Sequence, residues 1–353
     1  MPVMRQPHNI YIHVPFCISK CKYCAFFSTA RQPDWDKYCT DICNEIQQWS
    51  DKLGPVNIPT IFFGGGTPSL MPTGIFAKII TKISQCFHIC PDCEITLESN
   101  PGTLDAARLD RFIAAGVNRL SVGVQSLDDG ELEFLGRRHT AAEALRLINA
   151  AQARNIKLSA DFIYGLPGHT TETVAKLCRG INQIGLRHCS LYELTIEPAT
   201  PFGKMNLAMP SNSAMADMYA TIGECLHLPR YEVSNYATPD SQCRHNANIW
   251  DGMPYIGIGR GAAGRIYTDG RWFEQIGDNA LFAPISDDAR ATEKIITGMR
   301  TMRGVKITPD VERIIDWGWV GNNPLLIQKH GDRLCATGHG ILTLEHMLLQ
   351  LTK

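Results

Sequence analysis

The chain has 353 residues, a length that allows one large domain with a sizeable core and a smaller second one. Its 34 Lys and Arg against 35 Asp and Glu leave a net charge of -1 without a run of like charges, which argues against nucleic acid as a ligand. The amino-terminal residues form no apolar leader, and no window approaches the roughly 18 apolar residues of a membrane span. We therefore expect a cytoplasmic protein.

The cysteine count indicates metal or catalytic chemistry rather than disulfides. Thirteen is an odd number for a disulfide framework, and three of the cysteines lie in one short stretch. In a reducing compartment, clustered cysteines are more often metal ligands or reactive groups. Cys39 and Cys43, four apart on one helix face, and the isolated Cys178, Cys189, Cys225 and Cys335 are expected to be small buried hydrophobes. The "CPDC" stretch, Cys90 to Cys93, has the spacing of a redox pair, but we place it in a helix-to-strand connection without a thioredoxin context and expect no function there.

Short β-branched runs alternate with longer stretches of helical apolar spacing. The predicted strands are 10–14, 60–63, 94–99, 118–124, 157–165 and 188–196. The predicted helices are 34–49, 74–87, 105–115, 128–135, 141–154, 171–184 and 211–227. Strands separated by helices pair in parallel through right-handed crossovers, so six such units predict an α/β fold, either a partial (β/α)6 TIM-like barrel or an open wound sheet. In a barrel, the chemistry takes place at the carboxyl ends of the strands.

The last third of the chain has a looser pattern. Residues 231–259 read as loop and short strand, and we place a boundary near residue 237, which gives a core of 1–237 and a second domain of 238–353. The tail from residue 283 holds helical runs, followed by a turn and a final amphipathic helix. A small helical or winged-helix-like carboxyl-terminal domain fits this pattern.

The stretch "YIHVPFCISKCKYCAFF" carries Cys17, Cys21 and Cys24 directly after the first strand. Structural zinc normally has four protein ligands, so three thiolates without a nearby histidine pair fit it poorly. Thiolates also hold iron-sulfur clusters, and because Phe26 stands where a fourth cysteine might follow, one iron would be left open for a ligand. The alternative is a zinc site completed by Cys39 or Cys43.

Polar or glycine-rich segments follow several other predicted strands. "GGGTP", from Gly64 to Pro68, lacks the Gly-Lys-Ser/Thr of a phosphate loop, but its glycines allow a ligand to approach the backbone closely. Glu98, Gln125 and Asp161 each end or follow an apolar run. Any one of them could be a solvated or capping residue, whereas together, at the same end of a barrel, they indicate a binding site.

Longer stretches carry a specific resemblance. "CISKCKYC", "FFGGGTPSL" and "TLESNPGT" resemble the radical S-adenosylmethionine superfamily, and "RLSVGVQSLDDGELEFLGRRHT" and "DFIYGLPG" resemble its oxygen-independent coproporphyrinogen III oxidase group. "YELTIEPATPFG" and "CRHNANIW" resemble the haem-chaperone branch of that group, HemW. The resemblance extends over roughly residues 10–265.

The resemblance implies a barrel of the radical S-adenosylmethionine type. It also implies a 4Fe-4S cluster on Cys17, Cys21 and Cys24, with S-adenosylmethionine chelating the open iron through its amino and carboxylate groups and undergoing reductive cleavage there. The glycine stretch would receive the methionine ammonium, and Arg137 would pair with the carboxylate. By motif, Glu98, Gln125 and Asp161 would contact the ribose and methionine portions of the cofactor. The full set of cofactor-binding positions that the resemblance implies is Tyr11, Tyr23, Gly65, Gly66, Thr67, Glu98, Gln125, Arg137, Asp161 and Ala263.

The stretch "GIGRGAAG", which contains Ala263, also spells G-x-G-x-x-G. A dinucleotide site would require a helix after it, whereas "RIYTDGRWFEQ" reads as strand and turn. We therefore do not expect nucleotide binding there. In the related family this stretch closes the cofactor pocket.

"CRHNANIW" supplies a haem-ligand candidate, His245, because histidine is a common haem ligand. The haem-chaperone branch carries a His-Asn-x-x-Tyr-Trp motif here; His245, Asn246 and Trp250 match it, and Ile249 replaces the tyrosine. The alternative is a structural hydrogen-bonding role for the histidine and asparagine between the two domains.

The first functional hypothesis is a haem chaperone that holds a 4Fe-4S cluster with exchangeable S-adenosylmethionine and transfers haem to an acceptor protein, with at most a transient membrane contact. The alternative is a radical enzyme of the coproporphyrinogen oxidase type or one acting on another substrate. Phe26 opposes the decarboxylase, because that enzyme has a fourth cysteine at this position. Two residues depart from the chaperone pattern: Ile249 stands in place of the tyrosine, and Ala263 stands where the branch commonly has histidine. A third hypothesis is a non-catalytic iron-sulfur scaffold.

Overall fold

The structure of the protein is a computed structural model, which describes residues 6–276 and 281–352. Its large sheet has twelve strands. The first six are β1 (Asn9–Val14), β2 (Asn57–Gly65), β3 (His88–Ser99), β4 (Arg119–Gln125), β5 (Lys157–Tyr164) and β6 (His188–Glu193). The helices that follow them are α1 (Trp35–Leu53), α2 (Thr73–Cys86), α3 (Ala106–Ala114), α4 (Asp129–Leu135), α5 (Ala141–Gln152), α6 (Thr171–Ile184) and α7 (Asn212–Cys225). The prediction of six strand–helix units is confirmed.

The six strands pair in parallel in their chain order, so all their carboxyl ends lie at one rim of a partial barrel. Antiparallel strands β7 (Arg230–Glu232) and β8 (Asn235–Ala237) extend the sheet beyond β6. Beyond β1 the sheet continues through β9 (Tyr255–Ile258), β10 (Arg265–Thr268), β11 (Arg271–Ile276) and β12 (Leu281–Ile285). β10 and β11 form the strand and turn expected after "GIGRGAAG". The α/β partial-barrel fold is confirmed.

The barrel helices are positioned by capping groups and one apolar face each. The Asp34 side chain accepts the Lys37 N–H at the start of α1, and its buried face includes Ile42, Ile46 and Trp49. α5 begins with a full capping box formed by Thr140 and Glu143. These faces cover the outward side of the sheet, where residues such as Ile10, Ile12 and Val14 are fully buried.

The inward side of the sheet is polar, which sets this barrel apart from one filled with branched apolar side chains. Alternation along β1 and β3–β6 brings hydroxyl, carboxyl, imidazole and guanidinium groups to the interior. They include Tyr11, His13, Thr96, Glu98, Arg119, Ser121, Ser159, Asp161, His188 and Ser190. Buried polar groups require hydrogen-bond partners, so the interior is organised as a network.

The amino-terminal end of the barrel is closed by α8 (Arg244–Trp250). The Glu94 carboxylate, in β3, accepts the first backbone N–H groups of this helix, from Arg244 at 2.8 Å and His245 at 3.2 Å. The expectation of loop and short strand for residues 231–259 was wrong here. The helix is only seven residues long and is capped by a residue from a distant strand, so no local signal marks its start.

The carboxyl-terminal part begins with α9 (Asp287–Met299) and has its own apolar cluster. It contains three short strands, β13 (Val305–Lys306), β14 (Ile327–His330) and β15 (Arg333–Ala336), in the order β13-β15-β14. Four further helices are α10 (Pro309–Ile314), α11 (Trp317–Asn322), α12 (Gly338–Leu342) and α13 (Leu344–Leu351). Helices with a small antiparallel sheet match the winged-helix-like expectation. The boundary near 237 stays a prediction, although the large sheet itself continues to residue 285.

Within the described residues, 6–276 and 281–352, no helix combines the length and the apolar character needed to cross a membrane.

Candidate functional site

The three cysteines lie in a loop that leaves β1 at the carboxyl rim of the barrel. The loop closes on itself, because Cys17 N donates to Thr29 O at 2.9 Å and Thr29 N donates to Pro15 O at 2.7 Å. His13, in β1, contacts the far limb through a 2.8 Å hydrogen bond between its Nε2 and Phe27 O. The loop is thus tied to the first strand at both its ends.

The glycines after β2 bring that strand's end against the cysteine loop. Gly66 N donates to Val14 O at 2.8 Å, and a Cβ atom on Gly66 would lie 2.6 Å from Phe16 O and 3.0 Å from Cys17 Sγ. Such contacts are too short for any side chain. Only glycine therefore allows the close approach of the two segments at the sulfur of Cys17.

Beside the loop lies a cavity of about 460 Å³. Its walls come from the cysteine loop and from the carboxyl ends of β2 to β6, as the barrel expectation requires. The predicted site residues that line it are Cys17, Cys21, Tyr23, Cys24, Gly65, Gly66, Glu98, Gln125, Arg137 and Asp161. Residues distant in sequence therefore come together at one edge of the sheet.

Two carboxyl groups, Glu98 and Asp161, face this cavity. Gly65 N donates to Glu98 Oε2 at 3.1 Å, and Ser121 Oγ donates to Asp161 Oδ2 at 3.0 Å. Burial, and then the charge of Asp161, raises the pKa of Glu98 to about 8. Burial also raises the pKa of Asp161, against the hydrogen bonds that it accepts. A cation in the cavity would relieve this repulsion.

One wall of the cavity is formed by Arg137. Its Nη2 donates to Gly123 O at 2.7 Å and to Asn100 Oδ1, and its Nη1 lies 3.4 Å from Cys21 Sγ. Tyr23 is also within hydrogen-bond reach of Arg137. A guanidinium so held is suited to a carboxylate ligand.

Gln125 ends β4 in a left-handed backbone conformation, with φ of 69°, which is uncommon for a residue other than glycine. The β4–β5 register shifts at the same point. Backbone strain of this kind is often found at ligand sites, and here it turns Gln125 into the cavity.

Three predicted site residues lie outside the cavity lining. Thr67 is buried behind the Arg137 wall, facing a neighbouring pocket of about 210 Å³, and its Oγ1 accepts from Asn100 at 2.9 Å. Tyr11 lies in the barrel interior close to Glu98 and bonds His13 at 2.9 Å. Ala263 is exposed in the loop between β9 and β10.

Sequence reasoning missed Asn100 and His13. Asn100 joins Thr67 to Arg137, and His13 joins the floor of the site to the cysteine loop. Asn100 stands within "TLESNPGT", and His13 lies four residues before "CISKCKYC", so proximity to these motifs was the available signal.

The haem-ligand candidate His245 lies at the opposite, amino-terminal end of the barrel, on α8. Its side chain is 2% exposed, its Nδ1 is 2.7 Å from Thr60 Oγ1, and its ring packs 5.0 Å from that of Phe62. Burial lowers the pKa of His245 to about 3. This surrounding favours the structural alternative that the sequence left open.

The other cysteine expectations can be compared with the structure as well. All thirteen cysteines are free; Cys39, Cys178 and Cys189 are buried as expected, whereas Cys43, Cys225 and Cys335 are only partly buried. The "CPDC" stretch lies within β3, so its placement in a connection was wrong. Among the described residues, no three His, Cys, Asp or Glu side chains converge as a single zinc ion would require. A cluster with one thiolate on each iron does not need such convergence.

Comparison with protein-family models matches residues 11–180 to the Radical SAM superfamily. Heme chaperone HemW of Haemophilus influenzae is 36% identical over 270 residues, which cover 74% of this chain and 70% of that protein. The chain belongs to the HemW family of radical S-adenosylmethionine proteins. Heme chaperone HemW of Escherichia coli is 37% identical over 272 residues, 75% of this chain and 72% of that protein. Heme chaperone HemW of Mycobacterium tuberculosis H37Rv is 29% identical over 384 aligned positions, which cover 99% of this chain and 96% of that protein.

The fold is shared with a solved structure. Coproporphyrinogen III oxidase of Escherichia coli, a radical SAM enzyme, superposes with a TM-score of 0.81 at 19% identity, covering 98% of this chain and 89% of that one. The family resemblance found in the sequence is confirmed.

A radical S-adenosylmethionine family implies a 4Fe-4S cluster and S-adenosylmethionine, and the residues present fit both. The donor set consists of three thiols on one loop, and Gly66 leaves room at Cys17 Sγ that a Cβ would fill. The cavity offers two carboxyl groups for cationic centres and one guanidinium for a carboxylate, the charges that this cofactor carries.

Proposed function

We propose that the chain is a haem chaperone: it holds a 4Fe-4S cluster, binds exchangeable S-adenosylmethionine, binds haem and transfers the haem to an acceptor protein. One observation carries the proposal. A three-cysteine loop faces a cavity with two carboxyl groups and a guanidinium, in a chain similar over most of its length to proteins named Heme chaperone HemW.

Each part of the site has a role in this proposal. Cys17, Cys21 and Cys24 would hold three irons, leaving the fourth for the amino and carboxylate groups of the cofactor. When bound, the cluster supplies one-electron reduction. Glu98 and Asp161 would bind the cationic portions of the ligand, and Arg137, already held by Gly123, would bind its carboxylate.

Phe26 supports the chaperone over the decarboxylase. It stands where the decarboxylase has a further cysteine, and it lines the cavity with 68% of its surface exposed. An apolar ring has replaced a thiol at the mouth of the site. Binding of a large apolar ligand there is compatible with such a rim.

The test of the cluster is the variant Cys21→Ala in anaerobically reconstituted protein. Two thiolates do not hold a cluster firmly, so we expect iron and acid-labile sulfide to fall to background. Cys39→Ala, a buried cysteine of α1 outside the site, is the matched control and should keep both at the wild-type level. Wild-type iron and sulfide in the Cys21 variant would refute the assignment.

The test of the function is haem titration of the reconstituted protein, followed by absorbance, with coproporphyrinogen turnover measured in the same preparation. Saturable one-to-one haem binding without decarboxylation supports the chaperone. Decarboxylation would make the protein an enzyme despite Phe26. Absence of both signals would contradict the proposal and leave a radical enzyme acting on another substrate.

A further inference from the structure

Below the cavity, four side chains form a continuous hydrogen-bonded series that ends at Asp161. Ser190, Ser121 and Ser159 all lie within hydrogen-bond reach of the Asp161 carboxylate, and Ser159 is the one that continues the series. Ser159 Oγ is 2.7 Å from His188 Nδ1, and His188 Nε2 is 2.7 Å from the Tyr231 hydroxyl. The series therefore runs from β7 through β6 and β5 to the cavity.

Which group donates each hydrogen bond in this series can be worked out from Tyr231, the residue farthest from the cavity. The Tyr231 hydroxyl oxygen accepts the Cys243 N–H at 3.3 Å, and the part of the chain that the structure describes offers its hydrogen no acceptor except His188 Nε2. A buried hydroxyl left without an acceptor would cost about 1–3 kcal/mol. Tyr231 therefore donates to Nε2, which must be unprotonated, and a neutral His188 carries its proton on Nδ1.

The remaining hydrogens follow from this tautomer. His188 Nδ1–H donates to Ser159 Oγ, so the Ser159 hydrogen is free to point at Asp161. The opposite tautomer would turn the Ser159 hydrogen to His188 and leave Asp161 with the hydroxyls of Ser121 and Ser190. The Ser190 hydroxyl also donates to Asn235 Oδ1 at 3.0 Å, so its single hydrogen is divided between Asn235 and Asp161.

His188 is kept neutral by its surroundings. It is 2% exposed, and both burial and the charge of Arg119 keep its pKa well below the ordinary histidine value. Arg119 itself is 1% exposed; its Nη1 donates to Ser241 O at 2.9 Å, and its Nη2 has no hydrogen-bond partner among the described residues, so it is a buried cation beneath the cavity without a salt-bridged carboxylate. The titratable groups that interact with the charge of Asp161 are Glu98 on β3, Arg119 on β4, and Cys189 and Tyr192 on β6, whereas His188 reaches it only through Ser159.

We propose that His188 is a positioning residue: it polarises the series Tyr231–His188–Ser159 toward Asp161, and so keeps this carboxylate ionised and oriented for a cationic ligand. The inference rests on the proposed function, since the ligand is S-adenosylmethionine. His188 does not touch the ligand itself. It acts through the hydroxyl of Ser159.

The first test reads the tautomer without any ligand. In the full chain labelled with ¹⁵N-histidine, the ring signals lost in His188→Leu should belong to an imidazole with a protonated Nδ1 and an unprotonated Nε2. If the lost signals instead show a protonated Nε2 or a doubly protonated ring, the direction of the series is wrong and the inference fails.

The second test measures S-adenosylmethionine affinity against pH in the reconstituted protein. His188→Leu should weaken binding by up to about tenfold at pH values below the pKa of Asp161, the effect of a one-unit rise in that pKa, and the loss should shrink as the pH rises above it. His188→Asn keeps an N–H directed at Ser159 and should stay within about threefold of the wild type. A shift of the profile is the signature, because a merely structural role would lower affinity equally at every pH.

The control is His8→Leu. His8 is also buried, and both its ring nitrogens bond backbone groups, those of Gln6 and Tyr267. Because it lies away from the cavity, the pH dependence of S-adenosylmethionine affinity in His8→Leu should match that of the wild type. If the wild-type protein binds no S-adenosylmethionine, the proposed function fails. If the wild type binds and His188→Leu has an unshifted profile, the positioning role alone is overturned.

Discussion

At the scale of single residues, Glu98 couples cation binding to pH. Because burial beside Asp161 raises its pKa to about 8, the group is largely protonated at neutral pH, and a bound cation must displace that proton. We predict that S-adenosylmethionine affinity rises with pH, by at most about tenfold per unit, and levels off above the pKa of Glu98. Titration calorimetry in buffers of different ionisation enthalpy will measure the released proton.

Glu98→Gln should remove the upper part of this pH dependence and bind the cofactor more weakly at high pH. The exposed Glu224 on α7 gives the matched control, and Glu224→Gln should leave the pH dependence of affinity unchanged.

The raised pKa of Glu98 also leads to a prediction about the stability of the ligand-free protein. A carboxyl whose pKa is higher when folded destabilises the fold as pH rises from its unfolded value toward 8, so Glu98→Gln should raise the urea midpoint most at alkaline pH.

At the scale of elements, the contact between the end of β2 and the cysteine loop depends on Gly66. In Gly66→Ala the new methyl would meet Phe16 O and Cys17 Sγ, so the loop must move by several tenths of an ångström. We predict that this variant retains less than about half of the wild-type iron and sulfide after reconstitution, while the fold survives.

Gly74→Ala is the comparison for Gly66→Ala. Gly74 lies in α2 with no atom within 4 Å of an added Cβ, so alanine there should leave the cluster intact and stabilise the helix by up to about 1 kcal/mol. Equal iron content in the two variants would show that the loop can relax away from β2 and that the close contact is unnecessary.

Helix α8 is the second element on which a prediction depends, through His245. His245→Ala would remove one of the two partners of the Thr60 hydroxyl, which also donates to Asn9 Oδ1 at 2.8 Å, and would leave a gap against Phe62, so we expect a loss of about 2 kcal/mol in the free energy of unfolding with the cluster retained. Denaturant unfolding and iron analysis measure the two effects. If instead the free energy of unfolding is unchanged and haem affinity falls, His245 is a haem ligand and not a residue that packs α8 against the barrel.

The elements also show how far sequence reasoning reaches. Long periodic segments such as 171–184 are found where the pattern placed them, because helical spacing and caps are local signals. The seven-residue α8 is not, because its amino terminus is capped by Glu94 from β3. In the same way, motifs identified Glu98 and Asp161, but no pattern in the chain shows that Ser159, His188 and Tyr231 form a series behind them. Such relations exist only once the sheet is assembled.

At the scale of the whole molecule, the carboxyl-terminal part supports the edge of the barrel. Val233 N donates to Arg300 O and Met302 N to Tyr231 O, both at 3.0 Å, so residues 300–302 hold β7, the strand that carries Tyr231. The Arg300 guanidinium pairs with the Glu232 carboxylate at 2.9 Å, and the Glu232 side chain is only 1% exposed. The second apolar cluster is in this way connected to the series that ends at Asp161.

Arg300→Ala therefore tests communication across the molecule. Removing the cation leaves a buried carboxylate with only its hydrogen bonds from Ser234 and Asn235, and because Arg300 is itself 41% exposed we expect a cost of about 1 kcal/mol. Hydrogen exchange should become faster at the amides of residues 230–237. Arg313→Ala breaks a fully surface pair with Asp288 and should cost less than about 0.5 kcal/mol with no change at β7. Unchanged exchange in Arg300→Ala would mean that the backbone hydrogen bonds alone fix Tyr231, and that the salt bridge contributes nothing to the site.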